Sequence, residues 1–229
     1  MSEVASTLAV RRLDVHNAAD AARWDAFVLG CPHATFFHRA GWQVLIREVF
    51  HHDTYFLYAE SGGSILGVLP LGHVKSRLFG NALTSLPFSV YGGVAALDED
   101  AAVALEHEAE LLAQRLGVDH LELRHVQRRH ADWPLQDLYV TFRKQIAPKE
   151  EDNLLAIPRK QRAMVRKGIK NGLASHIDTT IDRFFALYAD NVHRHGTPAL
   201  PRAYFKGLCR VFGPDCEVLT ICAPDGRCI

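Results

Sequence analysis

Long apolar runs are missing from this sequence. None approaches the roughly 20 residues that cross a bilayer, and the N-terminus MSEVASTLAVRRLD has no hydrophobic signal core, so the chain reads as a soluble cytoplasmic protein without a transmembrane segment. Cysteine is sparse: five residues, with no Cys-x-x-Cys pair, argue against a disulfide framework and against a cysteine zinc site, and the thiols are expected to be reduced. No Gly-x-Ser-x-Gly, Walker loop or dinucleotide fingerprint occurs, no two carboxylates stand out as an acid/base couple, and no nucleophile is advertised. Net charge is absent as well, with 26 Lys+Arg against 26 Asp+Glu, which speaks against DNA as a partner.

What is present is enough apolar material, 48% of 229 residues, for one large domain or two small ones. The zero net charge hides an asymmetry: residues 149–229 hold 13 Lys+Arg against 9 Asp+Glu, and residues 1–148 the reverse excess. Lys149, Glu150, Glu151 and Asp152 mark the expected junction, giving domains 1–148 and 149–229. Thirteen histidines invite a metal reading, but the closest groupings, His51-His52, His125 with His130 and His193 with His195, fit no ligand spacing, so no metal is expected.

Periodicity predicts a strand at Thr7 to Leu13, helices at Ala18 to Leu29 and Arg39 to Phe50, and a hairpin of Tyr55 to Ala59 with Ile65 to Leu71 across Ser61-Gly62-Gly63. Strand and turn follow over Leu83 to Gly93, then an amphipathic helix from Asp98 to Leu116 stopped by Gly117, and strands at His120 to Arg124 and Leu138 to Phe142. In the second half the pattern predicts a basic helix between Pro158 and Gly172, a strand at Ser175 to Asp178, helices at Ile181 to His195 and Arg202 to Phe212, and a strand at Glu217 to Cys222. The fold class is mixed α/β (α+β) with largely antiparallel pairing. The second sheet is expected to be incomplete, because the returning strand after Asp225-Gly226 stops at Ile229, as in a truncated chain.

The basic helix is the most unusual element. Arg159, Lys160, Arg162, Arg166, Lys167 and Lys170 fall within an arc of roughly 160°, with Met164, Val165 and Ile169 on the other side. A solvated surface face would look similar. Here no acid neutralises the face, and like charges at i, i+4 (Arg162 and Arg166) repel, so a phosphate-bearing ligand gripped by Arg forks is the sharper reading.

Three other features compete as sites. Arg77-Leu78-Phe79-Gly80-Asn81-Ala82 fits the R-x-x-G-x-A pattern that cradles the pyrophosphate of coenzyme A, but that pattern should open a helix and this one leads into a strand. Tyr91, before Gly92-Gly93, is either a strand-end tyrosine or a hydrogen-bond donor beside a close backbone approach. Trp42 reads as core, and Arg39 sits at the helix end that disfavours a cation, so it needs another reason to be there.

Taken in order, Thr35-Phe36-Phe37-His38-Arg39-Ala40-Gly41-Trp42, Gly67-Val68-Leu69-Pro70-Leu71, Lys75 to Gly80, Leu86-Pro87-Phe88 with Tyr91-Gly92-Gly93, Leu121-Glu122-Leu123-Arg124, the Pro158 to Gly172 helix, His195-Gly196-Thr197-Pro198 and Tyr204-Phe205 resemble the FemAB-related proteins. The branch associated with exosortase (PEP-CTERM) and exopolysaccharide systems is the nearest. The resemblance implies two tandem acetyltransferase-like (GNAT) halves, and transfer of an amino acid from aminoacyl-tRNA to the peptide amine of a cell-wall (peptidoglycan) precursor. It implies substrate binding by Arg39, Trp42, Tyr91, Arg162 and Arg166, with no catalytic residue named and no cofactor beyond the acyl donor, aminoacyl-tRNA or acyl-CoA. The implied partner is a diphosphate-linked sugar or lipid precursor, with peripheral membrane association as a corollary. No heptad run long enough for the coiled-coil tRNA arm of some relatives occurs. Competing readings are a non-catalytic nucleotide-sugar or diphosphate binder, an RNA-binding module built on the basic helix, and an acetyl-CoA-dependent N-acetyltransferase.

Overall fold

A computed structural model describes residues 7–14, 16–76 and 80–229. The chain divides into two compact units, Met1–Ala131 and Asp132–Ile229. The acidic run expected as a junction instead forms the first turn of a helix inside the second unit.

The first unit is built on one sheet. Strand β1 (Ala9–Arg12) pairs antiparallel with β2 (Asp53–Ser61), β2 with β3 (Ser64–Ser76), and β3 with β4 (Gly80–Ser85). Gly62 and Gly63, at φ 59° and 81°, make the tight β2–β3 turn, as two left-handed residues in a row require glycine or its few substitutes. Beyond Leu71, toward its N-terminal half, β3 loses β4 and takes instead the two-residue β5 (Ala95–Ala96). The far edge is β6 (His120–Glu122), parallel to β4 in the register Leu83 to Leu121.

Alternation along β2 decides what covers each face. Leu57 and Ala59 join Leu69, Leu71 and Leu83 under helix α3 (Glu99–Leu116), which contributes Ala101, Leu105, Ala109 and Leu112. Phe56 and Tyr58 point the other way and meet Trp24 of α1 (Ala18–Gly30), at ring-centroid distances of 5.4 and 6.4 Å. Both helices start at side-chain caps, Asn17 and Asp98 accepting backbone N–H groups, and α3 stops at left-handed Gly117. A Cβ on Gly67 would lie 2.9 Å from the Ala96 Cβ and 3.0 Å from a Leu105 methyl, so glycine there lets β5 and α3 approach β3.

The expected helix from Arg39 to Phe50 is shorter and less regular. A single 3₁₀ turn (Phe36–His38) precedes α2 (Gly41–Leu45), which continues as a π-type turn over Ile46–Phe50 and ends at left-handed His51.

The second unit contains α4 (Glu150–Leu155), α5 (Arg159–Lys170), β7 (Ala174–Asp178), α6 (Asp182–Arg194), α7 (Arg202–Phe212) and β8 (Val218–Cys222), with β7 and β8 antiparallel. Rings of α6 and α7 interlock, Tyr188 and Phe184 lying 4.8 and 5.0 Å from Phe205. Two expectations fail here. Leu138 to Phe142 takes no regular structure and pairs with no strand among the described residues. Phe142 is 93% exposed, and β-prone side chains form a strand only where a neighbouring edge offers hydrogen bonds and packing. The cysteines do not all remain thiols: the terminal turn places Cys222 opposite Cys228, and the two form a disulfide, while Cys31, Cys209 and Cys216 are free.

Candidate functional site

Three segments far apart in sequence are tied together at the C-terminal ends of β4 and β6. The first is the turn at residues 35–40, anchored on α1. Trp24 donates its indole N–H to the His38 carbonyl at 2.6 Å, and the Asp25 carboxylate accepts from the Ala40 N–H at 2.7 Å and from Arg39 Nε at 2.9 Å. Asp25 is thus the reason for a cation at this helix start.

The second segment is the loop at residues 85–93. His38 is buried, and its Nε2–H donates to the Gly93 carbonyl at 2.8 Å. That bond fixes the tautomer, so Nδ1 accepts from the Thr35 N–H at 3.0 Å. Burial holds the His38 imidazole below its ordinary value, against the backbone hydrogen bonds that oppose it, and the ring is neutral at pH 7. Phe37 touches both Trp42 and Tyr91, at ring-centroid distances of 5.6 and 6.3 Å.

The third segment follows β6. The Gly92 and Gly93 N–H groups both donate to the Arg124 carbonyl, at 3.3 and 3.0 Å, while the Arg124 N–H donates to Ser85 Oγ at 2.7 Å and its Nη1 to the Ser89 carbonyl at 2.7 Å. Ser89 Oγ lies 2.7 and 2.6 Å from the carbonyl oxygens of Leu86 and Tyr91. This network holds Leu86 and Phe88 at φ 41° and 67°, a region that bulky side chains rarely enter and that costs on the order of 1–3 kcal/mol per residue. Strain retained by so many bonds is a mark of a built loop.

Beneath it lies a charged cluster. Glu106 of α3, 3% exposed, receives Arg129 Nε at 2.7 Å and Nη2 at 3.2 Å, with His125 and His130 Nε2 each at 3.3 Å. Arg129 also reaches Glu99 at 2.7 Å. Burial alone would raise the Glu106 carboxyl, but the close His125 imidazole and the hydrogen bonds from Arg129 outweigh it and lower it to about 2. The His125–His130 grouping in the sequence was therefore a signal of this cluster. Among the described residues no group of three or more His, Cys, Asp or Glu is arranged to hold a metal ion.

A Cβ on Gly93 would lie 2.4 Å from His125 Nδ1 and 2.9 Å from its Cα. Gly93→Ala is therefore expected to lower stability by about 1–3 kcal/mol, read as a drop in Tm. Gly30→Ala, where nothing lies within 4 Å, should leave Tm unchanged or raised.

Of the residues expected to bind substrate, Arg39, Trp42 and Tyr91 are brought together in the first unit. Trp42 is 2% exposed and donates its indole N–H to the Phe36 carbonyl at 3.1 Å, so it supports Phe36 and Phe37 from below. Tyr91 is half-buried at the rim. Arg162 and Arg166 lie on α5 in the second unit. The Arg162 guanidinium donates to the carbonyls of Leu155 and Ile157 at 3.1 Å, closing the C-terminal end of α4. The side chains of Arg166, Arg159, Lys160, Lys167 and Lys170 make no hydrogen bond or ion pair among the described residues, and Arg166 is exposed. Sequence reasoning missed His38, Ser89, Arg124 and Glu106, because His38, Arg124 and Glu106 act through partners distant in the chain and the Ser89 hydroxyl through carbonyls of its own irregular loop.

Arg77, Leu78 and Phe79 of the coenzyme A-like pattern lie outside the described residues. Gly80, Asn81 and Ala82 lie on β4, so no helix N-terminus follows to supply phosphate-binding N–H groups.

No protein-family model matches the chain, and no curated protein sequence matches it. Solved structures do. The crystal structure of FemX is similar with a TM-score of 0.62 and 16% identity, over 88% of this chain and 56% of that one. A GNAT family acetyltransferase from Staphylococcus aureus (TM-score 0.39, 11% identity, 61% of this chain and 99% of that one) is more distant. So is a ribosomal-protein-alanine N-acetyltransferase from Brucella melitensis (TM-score 0.39, 14% identity, 59% and 99%). The chain has a FemX-like mixed α/β fold and spans little more than half the length of FemX.

Proposed function

We propose that this chain is an acyl or aminoacyl transferase of the FemAB-related kind, acting on a diphosphate-linked cell-envelope or exopolysaccharide precursor. The observation that carries this reading is the physical joining of the 35–42, 85–93 and 121–125 segments. Three of the segments that carry the resemblance lie in these stretches, and the His38 to Gly93 bond and the Arg124 carbonyl lock them into one strained loop around Tyr91. The uncompensated cations of α5 suit the phosphates of the precursor.

The reaction would join the acceptor amine nitrogen to the acyl carbon, break the acyl ester or thioester bond, and pass the amine proton to the departing oxygen or sulfur. His38 and Glu106, buried near the loop, are not suited to take that proton. Both His38 ring nitrogens are engaged, and Glu106 is clamped by Arg129. Positioning with substrate-assisted proton transfer is the mechanism this reading works from. The same saturation favours a second reading, a non-catalytic diphosphate-sugar binder.

Thermal stabilisation by UDP-sugars and undecaprenyl-diphosphate analogues, compared with coenzyme A and tRNA at two salt concentrations, tests the reading. A Tm rise with diphosphate ligands, lost in Arg166→Ala, is expected, and product formation from aminoacyl-tRNA or acyl-CoA then separates transferase from binder. A rise with coenzyme A alone, or with tRNA alone and steeply salt-dependent, would sink it.

A further inference from the structure

The free cysteines are not alike. Cys31 is buried in the first unit, whereas Cys209 and Cys216 are half-buried and stand together in the second, their Sγ atoms 3.8 Å apart. Cys209 lies in the last turn of α7. The chain comes back to it through Gly213, at φ 51°, and the 3₁₀ turn Gly213–Asp215 that precedes β8. The Gly213 N–H donates to the Cys209 carbonyl, and the Cys216 N–H to the Gly213 carbonyl at 3.1 Å. The turn itself therefore brings the two sulfurs together, between positions seven apart in the chain.

We propose that Cys209 and Cys216 are an oxidative modification site, at which a small disulfide such as oxidised glutathione closes a second protein disulfide and staples the end of α7 to the chain entering β8. A disulfide needs its sulfurs about 2.05 Å apart, and two thiols already in contact close most of that gap by side-chain rotation. One protein thiolate attacks a glutathione sulfur, forming a mixed disulfide and releasing one glutathione. The other protein thiol loses its proton to solvent and attacks the first protein sulfur, releasing the second glutathione. Two protein thiols and one oxidised glutathione thus give one protein disulfide and two reduced glutathiones, and two electrons pass to the oxidant. Burial raises the Cys216 thiol to about 11, and the neighbouring Cys209 adds to the rise. A dithiol without stabilised thiolates closes slowly near neutral pH and holds its disulfide firmly, the reverse of low-pKa exchange catalysts. That is the character of a staple. The same unit already carries one, the Cys222–Cys228 disulfide. The site lies outside the segments that carry the transferase reading and requires nothing of it.

The test incubates the whole chain with oxidised glutathione, blocks remaining thiols with N-ethylmaleimide and maps the products by mass spectrometry. A disulfide linking the Cys209 and Cys216 peptides is expected, with Cys222–Cys228 retained. It should form at least about tenfold faster at pH 9 than at pH 7 and raise Tm by a few degrees, because it closes a loop in the unfolded chain. In Cys209→Ser and Cys216→Ser the remaining thiol should stop at the glutathione adduct, without the rise in Tm, while Cys31→Ala should form the same link as the parent. The parent's own product decides the matter even where a variant folds poorly. Three results overturn the proposal: the parent stops at glutathione adducts, both thiols stay free, or the new bond joins either of them to a different cysteine.

Discussion

Replacing Glu106 by Gln is expected to lower the stability of the first unit by about 3 kcal/mol, a fall in Tm of about 10 °C, while leaving its shape almost unchanged. The carboxylate is 3% exposed and carries two hydrogen bonds from Arg129 as well as the contacts of two imidazoles. The amide keeps the volume and one acceptor but turns a donor toward cationic neighbours. Removing one partner of a buried pair is costly because the other stays behind, and here Arg129 retains only the exposed Glu99.

The same substitution should change the acid limb of stability. The folded carboxyl titrates at about 2 against an unperturbed value of 4.5, a depressed value, so its contribution is complete above pH 4.5 and disappears as the pH falls through about 2. A shift of that size corresponds to about 3 kcal/mol, the size of the loss expected for Glu106→Gln. The Tm difference between parent and Glu106→Gln should therefore be full at pH 7 and shrink steadily below pH 4.5. A difference that persists unchanged at pH 2.5 would assign the loss to packing and remove the ion pair from the account.

What the sequence made legible is local. Helix α3 was readable at both ends because Asp98 and Gly117 act within one turn of the helix they bound, and the β2–β3 hairpin because Gly62-Gly63 supplies left-handed backbone on the spot. The amphipathic wheel located α5 and its cations, but it treats every arginine on the basic arc alike. It could not see that Arg162 lies against free carbonyls ending the preceding helix while Arg166 does not. Leu138 to Phe142 was misread for the converse reason: strand propensity is a statement about neighbours, and the neighbours are not in the local sequence. The Cys222–Cys228 bond likewise needed the register of the last turn, since five intervening residues match no familiar spacing. At the candidate site, Arg39, Trp42 and Tyr91 were singled out through their segments, yet what unites those segments is a hydrogen bond between residues 55 apart.

That bond carries the second large effect. His38→Ala is expected to cost about 2–4 kcal/mol: it leaves the Gly93 carbonyl and the Thr35 N–H without their side-chain partner in a buried setting and opens a cavity between the two loops. Because Leu86 and Phe88 hold unfavourable backbone conformations only while the network constrains them, the loop should relax, and any diphosphate-sugar affinity should fall at least about tenfold through displacement of Tyr91. His38→Gln separates this positioning role from bulk packing, since the glutamine amide nitrogen can reach the place of Nε2 and donate to Gly93. It should recover most of the affinity and about half of the stability. The pH dependence differs as well. The folded imidazole titrates below its ordinary 6.5, chiefly through burial, so its contribution is complete above pH 6.5 and declines as the pH falls through the lowered folded value. The Gln variant, having nothing to titrate there, should show a flatter stability profile between pH 7 and 5. If His38→Gln binds as weakly as His38→Ala, the donor to Gly93 does not hold Tyr91 in place, and the ring's volume alone accounts for the loss.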